Sequence, residues 1–179
     1  MSRPRAFTLI ELMIVVAIVG ILAVLSINGV RKYITNAKSA EARSAIGSIA
    51  KNAVRAFENE SMAATIVSSG SSTGIARAIC ASAPSKVPTS VPQNKKYQSS
   101  ASDWNAGDRT TGWACLKFTM TQPQYFSYSW VSTATTATAS AEGDLNGDGV
   151  TSQFLLRGAV QSGQVLTFAP SMAEINPDE

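Results

Sequence analysis

No histidine occurs anywhere in the 179 residues. Its absence removes the commonest general base and the commonest metal ligand. Serine is plentiful, but no histidine is there to activate one and no GxSxG stands in the chain. Neither a P-loop nor a GxGxxG is present. The two cysteines, Cys80 and Cys115, lie far apart, without the CxxC spacing of zinc or redox sites. Charge is scarce, at 15% of residues, and the net charge is +3. Arg3 and Arg5 are two of the 15 basic side chains; without them 13 face 12 acidic ones. The pI near 9.0 therefore owes much to the extreme N-terminus. Nucleic-acid binding, which wants a clustered basic face, is not indicated, and no catalytic set emerges.

What is present is dominated by one stretch, Phe7-Thr-Leu-Ile-Glu11-Leu-Met-Ile-Val-Val-Ala-Ile-Val-Gly20-Ile-Leu-Ala-Val-Leu25. Only Ser26, Asn28 and Gly29 interrupt its continuation to Val30. As a helix, residues 7–30 extend about 36 Å, enough to cross a bilayer core. A core helix of a soluble protein is rarely apolar on every face. Glu11 is the exception within it. A carboxylate in a spanning helix costs roughly 2.5–3.5 kcal/mol on insertion scales and so needs a partner or a reason. Snorkelling to the interface is one reason. A positive charge from another subunit is the other, and a free amine on Phe7 would supply it if the residues before Phe7 were removed. A secretory signal peptide cut after Ser26 is the competing reading. Glu11 at the head of the apolar region, and a helical pattern that continues past it, argue against that.

At Phe7-Thr8-Leu9-Ile10-Glu11-Leu12, behind the basic leader Met1-Ser-Arg-Pro-Arg-Ala6, the chain resembles the type IV pilin family. The resemblance covers about the first 25 residues. It implies cleavage of the Ala6–Phe7 bond by a prepilin peptidase and N-methylation of Phe7. It also implies pairing of Glu11 with a neighbouring subunit's N-terminus during assembly. Ala6 departs from the family's usual glycine, and Asn28 stands where the family often has proline. Gly20, Asn28 and Gly29 are weak helix formers, at a place where pilin helices of the family loosen inside the filament.

Beyond the apolar run the helical pattern continues. Ala42, Ile46, Ile49, Ala50, Ala53 and Phe57, flanked by Ala45 and Val54, recur at spacings of three and four. Lys38, Glu41, Arg43, Lys51, Arg55 and Glu58 take the other faces. The reading is one helix to about Glu60, with a membrane or filament-core half over 7–30 and an amphipathic half over 31–60. Residues 61–111 read as a Ser- and Pro-rich variable loop, with a helical turn over 75–80 and Pro84, Pro88 and Pro92 along a surface run. From Gly112 the period is two. Trp113–Met120 and Tyr125–Val131 read as a hairpin, Ser132–Ala141 as a weakly facing strand, and Ser152–Leu156 and Val165–Phe168 as short strands around Gly158 and Gly163. Residues 112–179 thus form a sheet domain, and the three tryptophans and most other aromatics are assigned to the sheet. The predicted fold is α+β: one long N-terminal helix packed on a four- to five-stranded antiparallel sheet.

Arg3 and Arg5 hold the N-terminus in the cytoplasm, so the bulk of the chain faces outward. There Cys80 and Cys115 form one disulfide, which ties the loop region to the first strand. Lys95-Lys96-Tyr97 reads as solvated surface, against a share in a DNA- or surface-binding patch. Asp144-Leu-Asn146-Gly-Asp148-Gly149 matches the first half of a calcium loop, with Val150, Glu142 or Ser152 available to complete a shell. Leu155 stands where the bidentate Glu should be, and Asn-Gly and Asp-Gly also make turns unaided. Calcium is therefore the only cofactor the sequence suggests. The function implied is a non-enzymatic subunit. It is stored as a single-pass protein of the inner membrane and then polymerised with other pilin subunits by the pilus assembly machinery into an extracellular filament. Adhesion, twitching motility or DNA uptake follow for such filaments. A pseudopilin of type II secretion and a monomeric membrane-tethered binding module are the alternatives.

Overall fold

The computed structural model describes residues 7–59, 61–62, 68–72, 74–162, 165–177 and 179, with backbone alone at Asn28, Ser61, Met62 and Ile75. The leader with Ala6, the helix end at Glu60 and Gly163 lie outside the described residues.

Helix α1 runs unbroken over Leu9–Glu58, 50 residues or about 75 Å. Two halves of it differ in what covers them. From Phe7 to Ile34 every described side chain is exposed. From Ser39 onward one face is covered: Ala42, Ala45, Ile46, Ile49, Ala50, Ala53 and Phe57 are all buried. Burying each of Ile46, Ile49 and Phe57 is worth about 1.5–3 kcal/mol relative to exposure.

That face lies on a five-stranded antiparallel sheet built from β3 (Ser127–Ser132), β4 (Thr136–Gly143), β5 (Ser152–Gln161), β6 (Val165–Phe168) and β7 (Ala173–Ile175). The order is β3-β4-β5-β6. Strand β5 carries β4 along one edge, and β6 and β7 end to end along the other. In β4 the alternation of Thr or Ser with Ala sends Ala137, Ala139 and Ala141 inward. A row of methyl groups lets a helix lie close to a sheet, and α1 contacts β4, β5 and β6. Phe126, Tyr128 and Trp130 share the inner face of β3 and the residue before it, as their period of two requires.

Between helix and sheet the chain from Ile79 onward is packed rather than free. A two-stranded ribbon pairs β1 (Ser61–Met62) with β2 (Ile75–Ala76). The following segment lies along the free edge of β3: Val87 and Tyr128 exchange backbone hydrogen bonds of 2.9 and 2.8 Å, and Ala83 N donates to Trp130 O at 3.0 Å. Two short helices follow, α2 (Ala101–Trp104) and α3 (Gly112–Leu116). They plant Trp104 edge-on to Trp113 at 5.0 Å and to Phe118 at 5.1 Å. Each indole N–H finds an acceptor: Trp104 the Ser99 hydroxyl at 2.8 Å, Trp113 the Ser85 carbonyl at 3.1 Å, Trp130 the Cys80 carbonyl at 2.9 Å. The buried Gln124 amide donates to the Val87 and Phe126 carbonyls at 3.0 and 2.9 Å, and its oxygen accepts from Ser99 at 3.1 Å.

Several sequence expectations are corrected here. Trp113–Met120 is not a strand: α3 occupies its first residues, opened by Gly112 at φ +66° and closed by Lys117 at φ +50°. The hairpin is therefore β3–β4. Residues 75–80 open as strand β2 and not as a helical turn. Pro88 and Pro92 are buried, because their segment covers the sheet edge. Only Trp130 lies on a sheet strand, while Trp104 and Trp113 reach the same core from α2 and α3. Strand β5 continues past Leu156 through Gly158, where a Cβ would come within 2.9 Å of the Phe168 ring. The facing of β4 is strong rather than weak.

Candidate assembly interface

The first turn of a helix leaves its N–H groups without partners. Here Thr8 is the N-cap of α1 and Glu11 its third residue, and the two close a capping box. Glu11 N donates to Thr8 Oγ1 at 3.3 Å, while Glu11 Oε2 accepts from Thr8 N at 2.9 Å and from Thr8 Oγ1 at 2.8 Å. The carboxylate is thus occupied by neutral donors of its own chain. Among the described residues it has no cationic partner. The role of Thr8 was readable from Thr-x-x-Glu ahead of an apolar run, and the sequence reading passed over it. Phe7 stands 79% exposed at the tip.

Gly20 and Gly29 lie within continuous α-helix, with nothing within 4 Å of where a Cβ would sit at either. The backbone at Asn28 is helical too. The helix of the isolated chain is whole at all three positions.

Cys80 and Cys115 form a disulfide across a Cα–Cα distance of 5.8 Å. It joins the segment before Ala81 to α3, not to a strand.

Asp144, Asn146 and Asp148 are gathered in one loop. The buried Asp144 carboxylate accepts from Gly147 N at 2.6 Å and Gly149 N at 3.0 Å. Asp148 accepts from Val150 N at 2.7 Å, and Asn146 Oδ1 from Asp148 N at 2.9 Å. Gly147 and Gly149, at φ +85° and +91°, permit the bends. Glu142 and Ser152 are engaged elsewhere, on Lys86 at 3.2 Å and on the Gly143 carbonyl at 3.0 Å. Among the described residues no three acidic or cysteine side chains stand together as a metal group.

Glu41 escaped the sequence reading, which placed it on a free face. It is half-buried: Oε1 accepts from Tyr125 N at 3.0 Å and from the Tyr128 hydroxyl at 3.1 Å. Burial pushes its carboxyl up, against those hydrogen bonds and the attraction of Lys96. Burial and the nearby Glu41 push the Tyr128 hydroxyl up in turn. Lys96 and Lys38 both stand over the Tyr125 ring, at 4.9 and 5.0 Å from its centroid. Arg43 closes a two-pronged pair with Glu174 of β7 at 2.7 and 3.0 Å, holding the Glu174 carboxyl down.

The family model for the prokaryotic N-terminal methylation motif matches residues 1–27. No curated protein and no solved structure matches the chain. The chain therefore carries the N-terminal signal of prepilins and pseudopilins ahead of an α+β head.

Proposed function

We propose that this chain is the structural subunit of a type IV pilus-like surface filament. In this reading prepilin peptidase cuts before Phe7 and the new amine is methylated. The subunit waits in the inner membrane, its N-terminus cytoplasmic and its head outside, until the assembly machinery draws it into a homopolymer. Its role is structural and not enzymatic.

The observation that carries this is the division of α1. Its apolar half touches nothing in the molecule, while one face of its outer half is buried against the sheet and α3. A bare apolar rod some 36 Å long needs either lipid or other copies of itself, and a filament core offers the second. Glu11 favours a polymer over a tether: its capping box serves the first turn of either, but the cost of a carboxylate in a spanning helix is offset only where a neighbour brings a cation. On release from the leader, a neighbour's Phe7 amine, with a pKa near 7.7–8.0, brings the charge that Thr8 lacks. A short periplasmic filament of a secretion pseudopilin would use the same contacts. Recovery of the chain in filaments sheared from the cell surface would favour the pilus reading, and its confinement to the periplasm the pseudopilin.

The test is Glu11→Ala. Membrane insertion should persist, since removing a charge favours the bilayer, while filament yield should fall sharply. Normal yield from this variant would remove the assembly role of Glu11.

A further inference from the structure

The bare half of α1 ends in two cations. Arg31 and Lys32 follow Val30 directly and are exposed. Their helical neighbours three and four residues away are Ile27, Asn28, Gly29, Ile34, Thr35 and Asn36, none of them acidic. Among the described residues neither forms an ion pair.

Seven residues further along, and so on the same face as Arg31, Lys38 meets the underside of the head. Its ammonium donates to the Leu145 carbonyl at 3.5 Å and stands over the Tyr125 ring. Beside it, the Asn146 side-chain nitrogen donates to Asp148 Oδ2 at 3.1 Å and to Glu179 Oε2 at 2.6 Å. Ser39 Oγ lies 3.4 Å from the Pro177 carbonyl on the same underside. Two carboxylates are therefore gathered around one neutral amide at the base of the head, and no ion pair engages either among the described residues. Every copy carries a basic pair and an acidic base, and the base of the head meets α1 at Lys38 and Ser39, seven residues or about 10 Å beyond Arg31.

We propose that Arg31 and Lys32 of one copy pair with Asp148 and Glu179 of a second copy, displaced along the helix axis by about 10 Å. This rests on the filament reading and names one of its contacts. A two-fold axis along the helices leaves both patches at their own heights, about 10 Å apart along the axis, so that they do not face each other. A two-fold axis across them points the two apolar halves in opposite directions, which copies inserted the same way into one membrane cannot do. What remains is a head-to-tail contact, which does not close on itself and so builds a filament. Opposite charges at its rim also set register and exclude wrong neighbours.

The experiment reverses each patch and then both. One chain carries Arg31→Glu with Lys32→Glu, a second Asp148→Lys with Glu179→Lys, and a third all four. All are expressed as full chains, with membrane-fraction levels and sheared filaments measured. Each single-patch reversal should cut filament yield by at least about tenfold, as like charges oppose each other. The four-fold chain should recover most of it, as should co-expression of the first two. Normal filaments from either single-patch chain overturn the pairing. So does a four-fold chain no better than its parents, the result expected if Arg31 and Lys32 serve anionic lipid head groups instead. A wild type that makes no filaments overturns the assembly reading, and the pairing with it.

Discussion

Replacing both cysteines by alanine should cost the head about 4 kcal/mol. The bridge closes a loop of sequence separation 35. The chain-entropy relation then gives about 13 cal/mol/K removed from the unfolded state, or roughly 3.8 kcal/mol at 25 °C. Alanine leaves the local native bonds intact, because the Cys80 acceptor is its backbone carbonyl, which holds Trp130 Nε1 at 2.9 Å and Ser132 Oγ at 2.7 Å. A head beginning at residue 35 is a fair sample for the measurement, since residues 7–34 bury nothing. Urea unfolding of oxidised wild type against the double alanine variant should show a midpoint lower by roughly 2 M, taking m near 2 kcal/mol/M. The m-value of the variant should rise, because an uncrosslinked chain exposes more surface on unfolding. A midpoint shift below about 0.3 M, or free thiols in the wild-type protein by mass spectrometry, would refute the reasoning.

Two carboxylates give opposite pH dependences. The raised Glu41 makes the native head bind a proton more tightly than the unfolded chain, so stability falls as pH rises from the ordinary glutamate value near 4.3 through the raised native one. Glu41→Gln should remove that slope, and a difference between variant and wild-type stability that stays flat from acid to neutral pH would contradict it. The depressed Glu174 contributes stability above the ordinary value that is lost as pH falls through its lower native one; Glu174→Gln should flatten that acid limb, and an unchanged limb would count against the Arg43 pairing. In the free head, where Asp148 has no second copy to pair with, the proposal for the loop at Asp144 is a weak calcium site of about 10⁻⁴ to 10⁻³ M. Millimolar calcium, and not magnesium, should raise the head's thermal midpoint, and Asp144→Ala should abolish the rise; an unchanged wild-type midpoint leaves the loop a turn closed by its own N–H donors.

How much of this was legible depends on the range of the forces involved. The stripe from Ala42 to Phe57 was readable, because six apolar residues at one helical period leave no other solution. Tyr125–Val131 was readable for the same reason at a period of two. Trp113–Met120 was not. Its apolar positions are 113, 116, 118 and 120: the first two fit a helical turn and the last three a strand, and only residues 112–116 became helix. What decides it is Lys117 in the left-handed region and the disulfide to Cys80. The middle of the chain read as loop because its order comes from distant partners. Gln124, Ser99 and Trp104 hold one another, and Gln124 holds Val87, through hydrogen bonds between residues up to 37 apart in sequence, which no local pattern announces. At the N-terminus the apolar run and Glu11 were plain. The underside of the head, where Asn146 collects Asp148 and Glu179, is a product of the fold alone.

The central claim is that the apolar half of α1, freed at Phe7, is a polymerisation device. Filaments sheared from cells expressing the chain should be purified and the N-terminal peptide of their main protein sequenced by mass spectrometry. The account predicts a mature chain that begins at Phe7 with a methylated amine. A main filament protein retaining Met1, or a chain released with its N-terminus at Ile27, would contradict it.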